Sequence, residues 1–235
     1  MSLEERVERA RRLLAGVEKN YSPSALASSF GAEDMVVLDL IARDGLAISI
    51  FTLDTGRLPK ETHDLITKVR KQYGLDIELF SPWPDSVDAF VEEHGMDGFY
   101  EGVEQRKACC AVRKVEPLRR ALTGKRGWIT GLRREQSDTR TGVVETALDP
   151  IHGLWKFSPL ADWSEEDVWT YLRTNHVPYN ALHDRGFPSI GCAPCTRAVR
   201  VGEDERAGRW WWESDGKKEC GLHARVAAPG AVAHV

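Results

Sequence analysis

Apolar and polar positions follow two periods along the chain, and segments with one period alternate with segments of the other. Four short, nearly continuous apolar runs are typical of strands buried on both faces. They lie at residues 25–30, 46–52, 75–80 and 127–132. Between the first three runs, residues 33–43 and 60–73 repeat their apolar side chains at helical spacing. This alternation predicts an α/β fold, a mostly parallel sheet with helices on both faces.

Further segments also carry the helical period. Helices are predicted at residues 2–18, 85–93 and 164–174. Ser2 and Ser164 each precede an acidic residue at the spacing of a capping box, which fixes where the first and last of these helices begin. A basic helix is predicted through Cys109 and Cys110 to about residue 122. Residues 133–142 follow neither period, so we expect a loop at a strand end.

The C-terminal part of the chain is less regular. Residues 155–160 predict either a further strand or an extended arm, and periodicity fades beyond Asn175. No internal repeat or low-complexity block divides the chain. We therefore expect one main body, residues 1–201, followed by an irregular segment, residues 202–235, that is not an independent domain.

Composition narrows the class of protein. With 235 residues and 42% hydrophobic content, the chain is long enough for one well-buried core. A net charge of −4 argues against a nucleic-acid partner. No run approaches the roughly 20 apolar residues of a membrane span, and the N-terminus lacks an apolar signal core. We predict a cytoplasmic protein without a membrane partner, and the sequence leaves a homo-oligomer open.

Four of the five cysteines are grouped in two pairs, Cys109 with Cys110 and Cys192 with Cys195. Grouped thiolates in a chain without a secretory signal suit a metal site, and both zinc and an iron–sulfur cluster fit this donor set. A redox dithiol at the second pair is an alternative that leaves the first pair unexplained. Two adjacent cysteines would have to turn their side chains towards the same metal atom to bind one small ion, whereas a [4Fe–4S] cluster spreads its ligand positions over four irons. This favours the cluster modestly over zinc.

The fifth cysteine, Cys220, stands apart near the C-terminus. Lys217, Lys218 and His223 surround it in sequence. Nearby cations lower the pKa of a thiol and increase its thiolate fraction, which makes a nucleophile. The alternative is a thiol in an unstructured tail whose basic neighbours are accidental.

Three polar loops follow predicted strands. Residues 28–34 are small and include Gly31, the composition of a loop that cradles phosphate, although they match neither the Walker nor the dinucleotide fingerprint. Residues 53–57 form the second loop, and residues 131–137, followed by Arg140, form an arginine-rich third. Because ligands bind at the carboxyl ends of parallel strands, the loops together predict an anion site. Ordinary capped turns and solvated charges are the alternatives.

In their order and joint occurrence, these segments resemble the iron–sulfur assimilatory adenylyl-sulfate reductases of the phosphosulfate reductase family. The resemblance covers nearly the whole chain, from about residue 24 to residue 223. The matching segments are residues 28–34, 52–58, 107–110 with 113 and 114, 131–137, 191–197 and 219–223. One departure is Arg106, three residues before the cysteine pair, where some relatives carry histidine.

The resemblance implies an adenine nucleotide α-hydrolase-like fold and a [4Fe–4S] cluster bound by Cys109, Cys110, Cys192 and Cys195. It also implies that Cys220 attacks the sulfur of adenosine 5′-phosphosulfate. The products of that step would be AMP and an S-sulfocysteine. Thioredoxin or a similar dithiol would then reduce the S-sulfocysteine and release sulfite.

Site residues follow from the loops and the resemblance together. Predicted substrate contacts are Ser28, Ser29, Phe30, Gly31, Asp34, Leu53, Thr55, Gly131, Arg133, Arg140, Arg206 and Arg209. Lys114 is expected to be a cation beside the cluster, one helical turn past Cys110, where it would bridge cluster sulfur and the substrate anion. Residues 1–201 would form the sulfonucleotide and cluster domain, and residues 202–235 would be a mobile segment that carries the catalytic Cys220.

Three other functions remain alternatives. A reductase that prefers the 3′-phosphorylated substrate is the nearest, although such relatives usually lack the four cluster thiols. An ATP-dependent tRNA-thiolating protein of the same fold would need a fuller Ser-Gly-Gly loop than this chain has. A zinc-stabilised nucleotide-binding regulator without turnover would use the same four cysteines.

Overall fold

A six-stranded sheet forms the centre of the molecule, seen in a computed structural model that describes residues 1–137 and 140–213. The strands are β1 (Ser24–Ala27), β2 (Ser49–Leu53), β3 (Ile77–Phe80), β4 (Gly127–Ile129), β5 (Thr146–Asp149) and β6 (Leu154–Phe157). Their order across the sheet is β3-β2-β1-β4-β6-β5, and all neighbours are parallel except β5 and β6. The mostly parallel sheet predicted from the sequence is confirmed.

Seven α-helices of at least six residues accompany the sheet within the described residues. They are α1 (Leu3–Tyr21), α2 (Ala32–Arg43), α3 (Lys60–Tyr73), α4 (Pro84–His94), α5 (Val103–Cys110), α6 (Glu116–Ala121) and α7 (Glu165–Thr174). A π-helical segment, Ala111–Val115, joins α5 to α6. The capping boxes predicted at Ser2 and Ser164 are both present. Among the helices that the structure describes, none is both long and apolar enough to cross a membrane.

Helices cover both faces of the sheet because successive strand side chains point to opposite faces. In β1, Ala25 joins a core cluster that also contains Leu118 of α6, whereas the next residue, Leu26, joins the larger core. That larger core contains buried side chains of α1, α2, α3 and α7. Strands buried on both faces explain why the apolar runs in the sequence are nearly continuous.

The sequence pattern missed one strand and predicted the other five in place, four in the apolar runs and one, as an alternative to an extended arm, at residues 155–160. The four apolar runs are longer than the strands that they predict. Strand β5 lies at the sheet edge, where Leu148 is half exposed, so its weak alternation gave no signal. Residues 28–30 were predicted as strand, but the chain leaves the sheet after Ala27. Phe30 then takes a positive φ of 60°, which turns the chain towards α2. Of the two alternatives for residues 155–160, the strand is confirmed as β6.

The chain order places a crevice beside β1. From β1 the chain moves through β2 to β3 on one side and then returns to form β4 on the other side of β1. Ligands of open α/β sheets bind at such a switch point, outside the carboxyl ends of the strands. All three predicted ligand loops follow β1, β2 or β4, so the topology brings them to one edge.

The last described residues pack against the main body. An isolated bridge pairs Thr196 with Arg209, and Trp210 is buried, with a relative exposure of 1%. The start of the segment predicted to be mobile is therefore in contact with the rest of the chain. Cys220, with all of residues 214–235, lies outside the described residues.

Candidate active site

A cleft opens at the carboxyl ends of β1, β2 and β4, with about 1320 Å³ of empty space including the part open to solvent. Most of the predicted substrate contacts line it. They are Ser28, Ser29, Gly31, Asp34, Leu53, Thr55, Gly131, Arg140, Arg206 and Arg209. Lys114, predicted as a cation beside the cysteines, lines the same cleft. The topology thus gathers residues from four separate stretches of sequence.

Asp34 holds the first loop in place. Its Oδ2 accepts hydrogen bonds from the backbone N–H and the hydroxyl of Ser29, at 2.6 and 2.7 Å. Its Oδ1 accepts the backbone N–H of Gly131, at 3.0 Å, so one carboxylate joins the loops after β1 and β4. Burial raises the pKa of Asp34 to about 6, although the hydrogen bonds from Ser29 and Gly131 oppose that rise.

Two glycines suit these loops to an anion. A Cβ on Gly131 would lie 2.9 Å from the backbone nitrogen of Asp34, so this close approach requires glycine. Gly31 is the N-cap of α2 and offers no side chain to the first N–H groups of the helix. The partial positive charge of the helix N-terminus is therefore left to a ligand in the cleft.

Two predicted contacts lie outside the cleft lining. The side chain of Phe30 is fully buried in the core. Arg133 is 1% exposed, and its Nε donates to Glu33 Oε1 at 2.8 Å. A second carboxylate, Glu205, lies 3.8 Å from the Arg133 guanidinium. Arg133 thus supports the cleft wall from behind, an arrangement that its position in a strand-end loop did not indicate.

Four positive side chains line the cleft, together with the carboxylates of Glu33, Asp34 and Glu205. Lys114, Arg140, Arg206 and Arg209 all line it. Arg209 Nη1 lies 3.3 Å from both the hydroxyl of Ser189 and the carbonyl oxygen of Ile190, to which it donates. Four cations around one cleft suit a ligand that carries more than one negative charge.

Sequence reasoning missed several lining residues, among them Glu205, His183 and Gln136. Glu205 is mostly buried, and burial, with the nearby Glu33, raises its pKa to about 7 against the opposing effect of Arg133. The loop containing Glu205 has no periodicity, so the only sequence signal was its place next to Arg206. Glu205 could have been predicted as a cleft residue together with Arg206, because the two are adjacent in sequence.

The four paired cysteines line a second cavity of about 350 Å³, again counting the part open to solvent. Cys109, Cys110 and Cys192 are buried, Cys195 is partly buried, and none of the four forms a disulfide. In residues 1–137 and 140–213 there is no group of three or more His, Cys, Asp or Glu side chains arranged to hold a single metal ion. The thiols therefore border a shared space without converging on one point.

Cations surround this four-cysteine cavity as well. Arg57, Arg106, Arg113 and Lys114 line it, and no described lining residue is a carboxylate. Lys114 lines both the cavity and the cleft, so the two spaces share a wall. Such positive surroundings suit a set of ionised thiolates.

Local backbone geometry presents the two cysteine pairs. The π-helical segment begins directly after Cys110, and single π-helical turns inside helices recur at functional sites. The second pair spans a 3₁₀ turn, Ala193–Cys195. Two hydrogen bonds fix that turn, from Ala193 N–H to the Arg57 carbonyl at 2.8 Å and from the Tyr100 hydroxyl to the Pro194 carbonyl at 2.7 Å.

The thiols differ in their electrostatic surroundings. Burial raises the pKa of Cys195 to about 12, and the neighbouring Cys192 adds to the rise. Burial also opposes ionisation of Cys192, but Lys114, a hydrogen bond with Thr55 and the nearby Arg209 and Arg113 together lower the pKa of that thiol. Cys192 faces the shared wall, where the cation and the Thr55 hydroxyl lie.

Comparison with known sequences finds a match to the phosphoadenosine phosphosulfate reductase domain over residues 23–198. Curated proteins named adenosine 5′-phosphosulfate reductase are similar over most of the chain. The protein of Allochromatium vinosum is 56% identical, with 94% of this chain and 86% of that protein covered. Those of Burkholderia cepacia (54%; 95% and 90%) and Neisseria meningitidis serogroup B (50%; 94% and 91%) are comparably similar.

Solved structures show the same fold. A phosphoadenylyl-sulfate reductase from Candida auris, in a phosphate complex, aligns with a TM-score of 0.69 at 27% identity, covering 81% of this chain and 90% of that one. Yeast FAD synthetase in complex with FAD aligns with a TM-score of 0.57 at 16% identity, covering 84% and 67%. The second likeness concerns fold alone. Together they confirm the predicted adenine nucleotide α-hydrolase-like class.

Proposed function

The chain belongs to the phosphoadenosine phosphosulfate reductase domain family, and we propose that it reduces adenosine 5′-phosphosulfate to sulfite and AMP in sulfate assimilation. The observation that carries this proposal is the shared wall between the cationic cleft and the four-cysteine cavity, at Lys114. The name that the 46–56% identical relatives share supports the same substrate. The enzyme is therefore an oxidoreductase that acts on a sulfur group.

In this proposal the nucleotide lies in the cleft with its phosphate at the loop of residues 28–34. The N-terminus of α2 and the backbone around Gly31 face that phosphate, since Gly31 lines the cleft and gives α2 no side-chain cap. The Asp34 carboxylate holds the loops in place and does not contact the phosphate, because both of its oxygens already accept hydrogen bonds from Ser29 and Gly131. Leu53 and Thr55 contact the adenosine end of the nucleotide.

The reacting sulfuryl group lies towards Lys114, Arg206 and Arg209. The Cys220 thiolate attacks the sulfur, a new S–S bond forms, and the S–O bond to the AMP phosphate breaks. The bonding electron pair leaves on the phosphate oxygen of AMP, which is a good leaving group without a general acid. Cations fixed near the developing charge stabilise such a transition state. Holding the thiolate in line with the sulfur lowers the activation barrier further.

The second half of the reaction needs an external dithiol, for which thioredoxin is the proposed source. One thiolate of the dithiol attacks the sulfur of Cys220, and sulfite leaves with the electron pair of the S–S bond. The second thiolate then resolves the mixed disulfide and restores the Cys220 thiolate. Two electrons pass from the dithiol to the sulfate sulfur, so the products are AMP, sulfite and a disulfide.

We further propose that Cys109, Cys110, Cys192 and Cys195 hold a [4Fe–4S] cluster. The residues present fit it, because four mostly buried cysteines, none of them in a disulfide, share one cavity lined by cations and by no described carboxylate. When bound, the cluster would supply electrostatic organisation beside the cleft, while the electrons come from the dithiol. Lys114 would then lie between the thiolates and the substrate anion.

The cluster has a direct test. Anaerobically purified protein is expected to contain iron and acid-labile sulfide and to absorb broadly near ~400 nm, which a four-cysteine zinc site does not do. Cys192→Ser should remove that absorption, whereas Cys220→Ser should keep it, because Cys220 is not a proposed ligand. Zinc without iron in the wild-type protein would contradict the cluster.

The activity is tested by turnover with a dithiol reductant on adenosine 5′-phosphosulfate and on its 3′-phosphorylated form. We expect sulfite and AMP from the first substrate at the higher kcat/KM, and no turnover by Cys220→Ser. A higher kcat/KM on the 3′-phosphorylated form would instead make the chain a 3′-phosphoadenylyl-sulfate reductase, like the Candida auris protein of similar fold.

A further inference from the structure

A buried ion pair joins the cysteine-bearing helix α5 to the last described residue. Arg106 Nε donates to Glu213 Oε1 at 2.7 Å, and Arg106 Nη2 donates to Oε2 at 2.9 Å. The side chains are only 2% and 5% exposed, although the residues are 107 positions apart in sequence. Two parallel N–H···O bonds between a guanidinium and a carboxylate fix the orientation of both groups.

The same arginine contacts the wall of the active site. Arg106 lines the four-cysteine cavity, and its guanidinium carbon lies 4.6 Å from the centre of the buried Trp210 ring. The guanidinium carbon of Arg209, a cleft-lining residue, lies 4.8 Å from the same ring. A continuous set of contacts therefore runs from the cleft through Trp210 and Arg106 to Glu213.

Glu213 also has a defined place in sequence relative to the proposed nucleophile. Only residues 214–219 separate it from Cys220. An extended chain spans at most about 3.6 Å per residue, so Cys220 lies within about 25 Å of Glu213 wherever the segment goes. The position of Glu213 therefore limits the region that Cys220 can reach.

We propose that the Arg106–Glu213 pair positions the base of the C-terminal segment so that Cys220 meets the bound sulfonucleotide. The inference rests on the proposed function, since it takes Cys220 as the nucleophile. Arg106 and Glu213 are positioning residues that act through Cys220. The pair also gives a role to Arg106, the position at which this chain departs from relatives that carry histidine.

The physical argument concerns what happens when one partner is lost. A buried guanidinium without its carboxylate is strongly disfavoured, so the segment around residue 213 should shift until Arg106 finds water or another partner. A displacement of about 1 Å in a reacting group can slow a reaction by roughly a hundredfold. Nucleotide binding depends on other residues of the cleft and should change little. The pair should therefore affect the chemical step and not the affinity.

The test compares two measurements on the anaerobic, cluster-containing protein. The first is the rate of S-sulfo adduct formation on Cys220 with adenosine 5′-phosphosulfate, and the second is the affinity for AMP. Glu213→Gln is expected to slow adduct formation about tenfold or more and to change AMP affinity less than about twofold. The double variant Arg106→Gln with Glu213→Gln should recover part of the rate, because it leaves no buried charge unpaired.

Asp44→Asn is the matched control. Asp44 accepts a bidentate pair from Arg11 between α1 and the end of α2. Neither residue lines the cleft or the four-cysteine cavity, so the loss of this pair should leave the rate of adduct formation unchanged. If Glu213→Gln does not fold, Arg106→Lys gives the same comparison, since lysine keeps the charge but cannot make the bidentate contact.

Adduct formation by Glu213→Gln at the wild-type rate would overturn the positioning role. Equal loss of rate and of AMP affinity would also overturn it, because that result indicates general damage to the site. Wild-type protein that forms no adduct would contradict the proposed function itself, and this inference with it. The two failures are therefore distinguishable.

Discussion

The hydroxyl oxygen of Thr55 lies 3.3 Å from the sulfur of Cys192, across the wall that separates the nucleotide cleft from the four-cysteine cavity. The backbone carbonyl of the same threonine accepts a hydrogen bond from Arg113 Nη1, at 2.8 Å. Thr55 lines the cleft, and Cys192 and Arg113 line the cavity. A substitution on either side of this wall should therefore alter the residues on the other side.

Thr55→Val should weaken binding of the proposed cluster, because valine keeps the shape of threonine but cannot form a hydrogen bond with the Cys192 sulfur. The lost hydrogen bond corresponds to about 1 kcal/mol. We expect faster loss of the ~400 nm absorption in air. Thr55→Ser, which keeps the hydroxyl, should behave like the wild-type protein. Equal rates of loss for the valine and serine variants would show that the hydroxyl has no such role.

Asp34→Asn should lower AMP affinity about tenfold or more. An amide has one acceptor oxygen and so cannot accept from both Ser29 and Gly131, which leaves at least one buried donor unsatisfied. The control is Asp149→Asn, since Asp149 is also buried and accepts two backbone N–H groups, but lies at the end of β5. Calorimetric titration with AMP should separate the two variants, and equal affinities would contradict the role assigned to Asp34.

Gly191→Ala should also weaken AMP binding. The added Cβ would lie 2.6 Å from the guanidinium carbon of Arg209, so this cation must move out of the cleft wall. Loss of a charged hydrogen bond to phosphate is worth about 2 kcal/mol, or about thirtyfold in affinity. Gly142→Ala has open space around its Cβ and serves as the control. Unchanged affinity in Gly191→Ala would place Arg209 outside the nucleotide contacts.

Glu205 should make stability depend on pH. Burial raises its pKa from the ordinary value of 4.5 to about 7, so the folded protein holds this proton more tightly than the unfolded chain does. The contribution to stability is full below about pH 4.5 and is lost as the pH rises through about 7. Its size is on the order of 3 kcal/mol.

Glu205→Gln should therefore flatten the pH dependence of the free energy of unfolding between pH 4.5 and about 7, measured by urea titration. Glu203→Gln is the control, because Arg197 lowers the pKa of Glu203 to about 2, below this window. An unchanged slope in Glu205→Gln would mean that Glu205 is already ionised throughout the window.

The sequence predicted those parts of the site that follow from local pattern. Buried strands, helix starts and small-residue loops are properties of neighbouring residues. Three residues of the loops found in this way, Ser28, Thr55 and Gly131, line the cleft in the structure. Ion pairs between distant residues have no such signal. Arg133 pairs with Glu33 from 100 positions away, a contact that its loop position did not indicate.

The edge strand of the sheet, β5, was not predicted from the sequence for a related reason. Strand β5 pairs on one side only, and its exposed Leu148 breaks the apolar run that identifies a buried strand. The position of Lys114 between the cysteines and the substrate anion was predicted from its place one helical turn past Cys110. The sequence did not indicate the other contact across the shared wall, between Thr55 and Cys192. Such contacts depend on the packing of the whole chain.

The central claim is that Cys220 attacks the sulfur of adenosine 5′-phosphosulfate. Its most direct test is mass spectrometry of the anaerobically purified protein after mixing with this substrate in the absence of a dithiol. We predict a mass increase of one SO₃ group per chain, located on the peptide that contains Cys220, reversed by thioredoxin and absent from Cys220→Ser. An adduct that forms in Cys220→Ser, or sulfite release without any adduct on the wild-type chain, would contradict the claim.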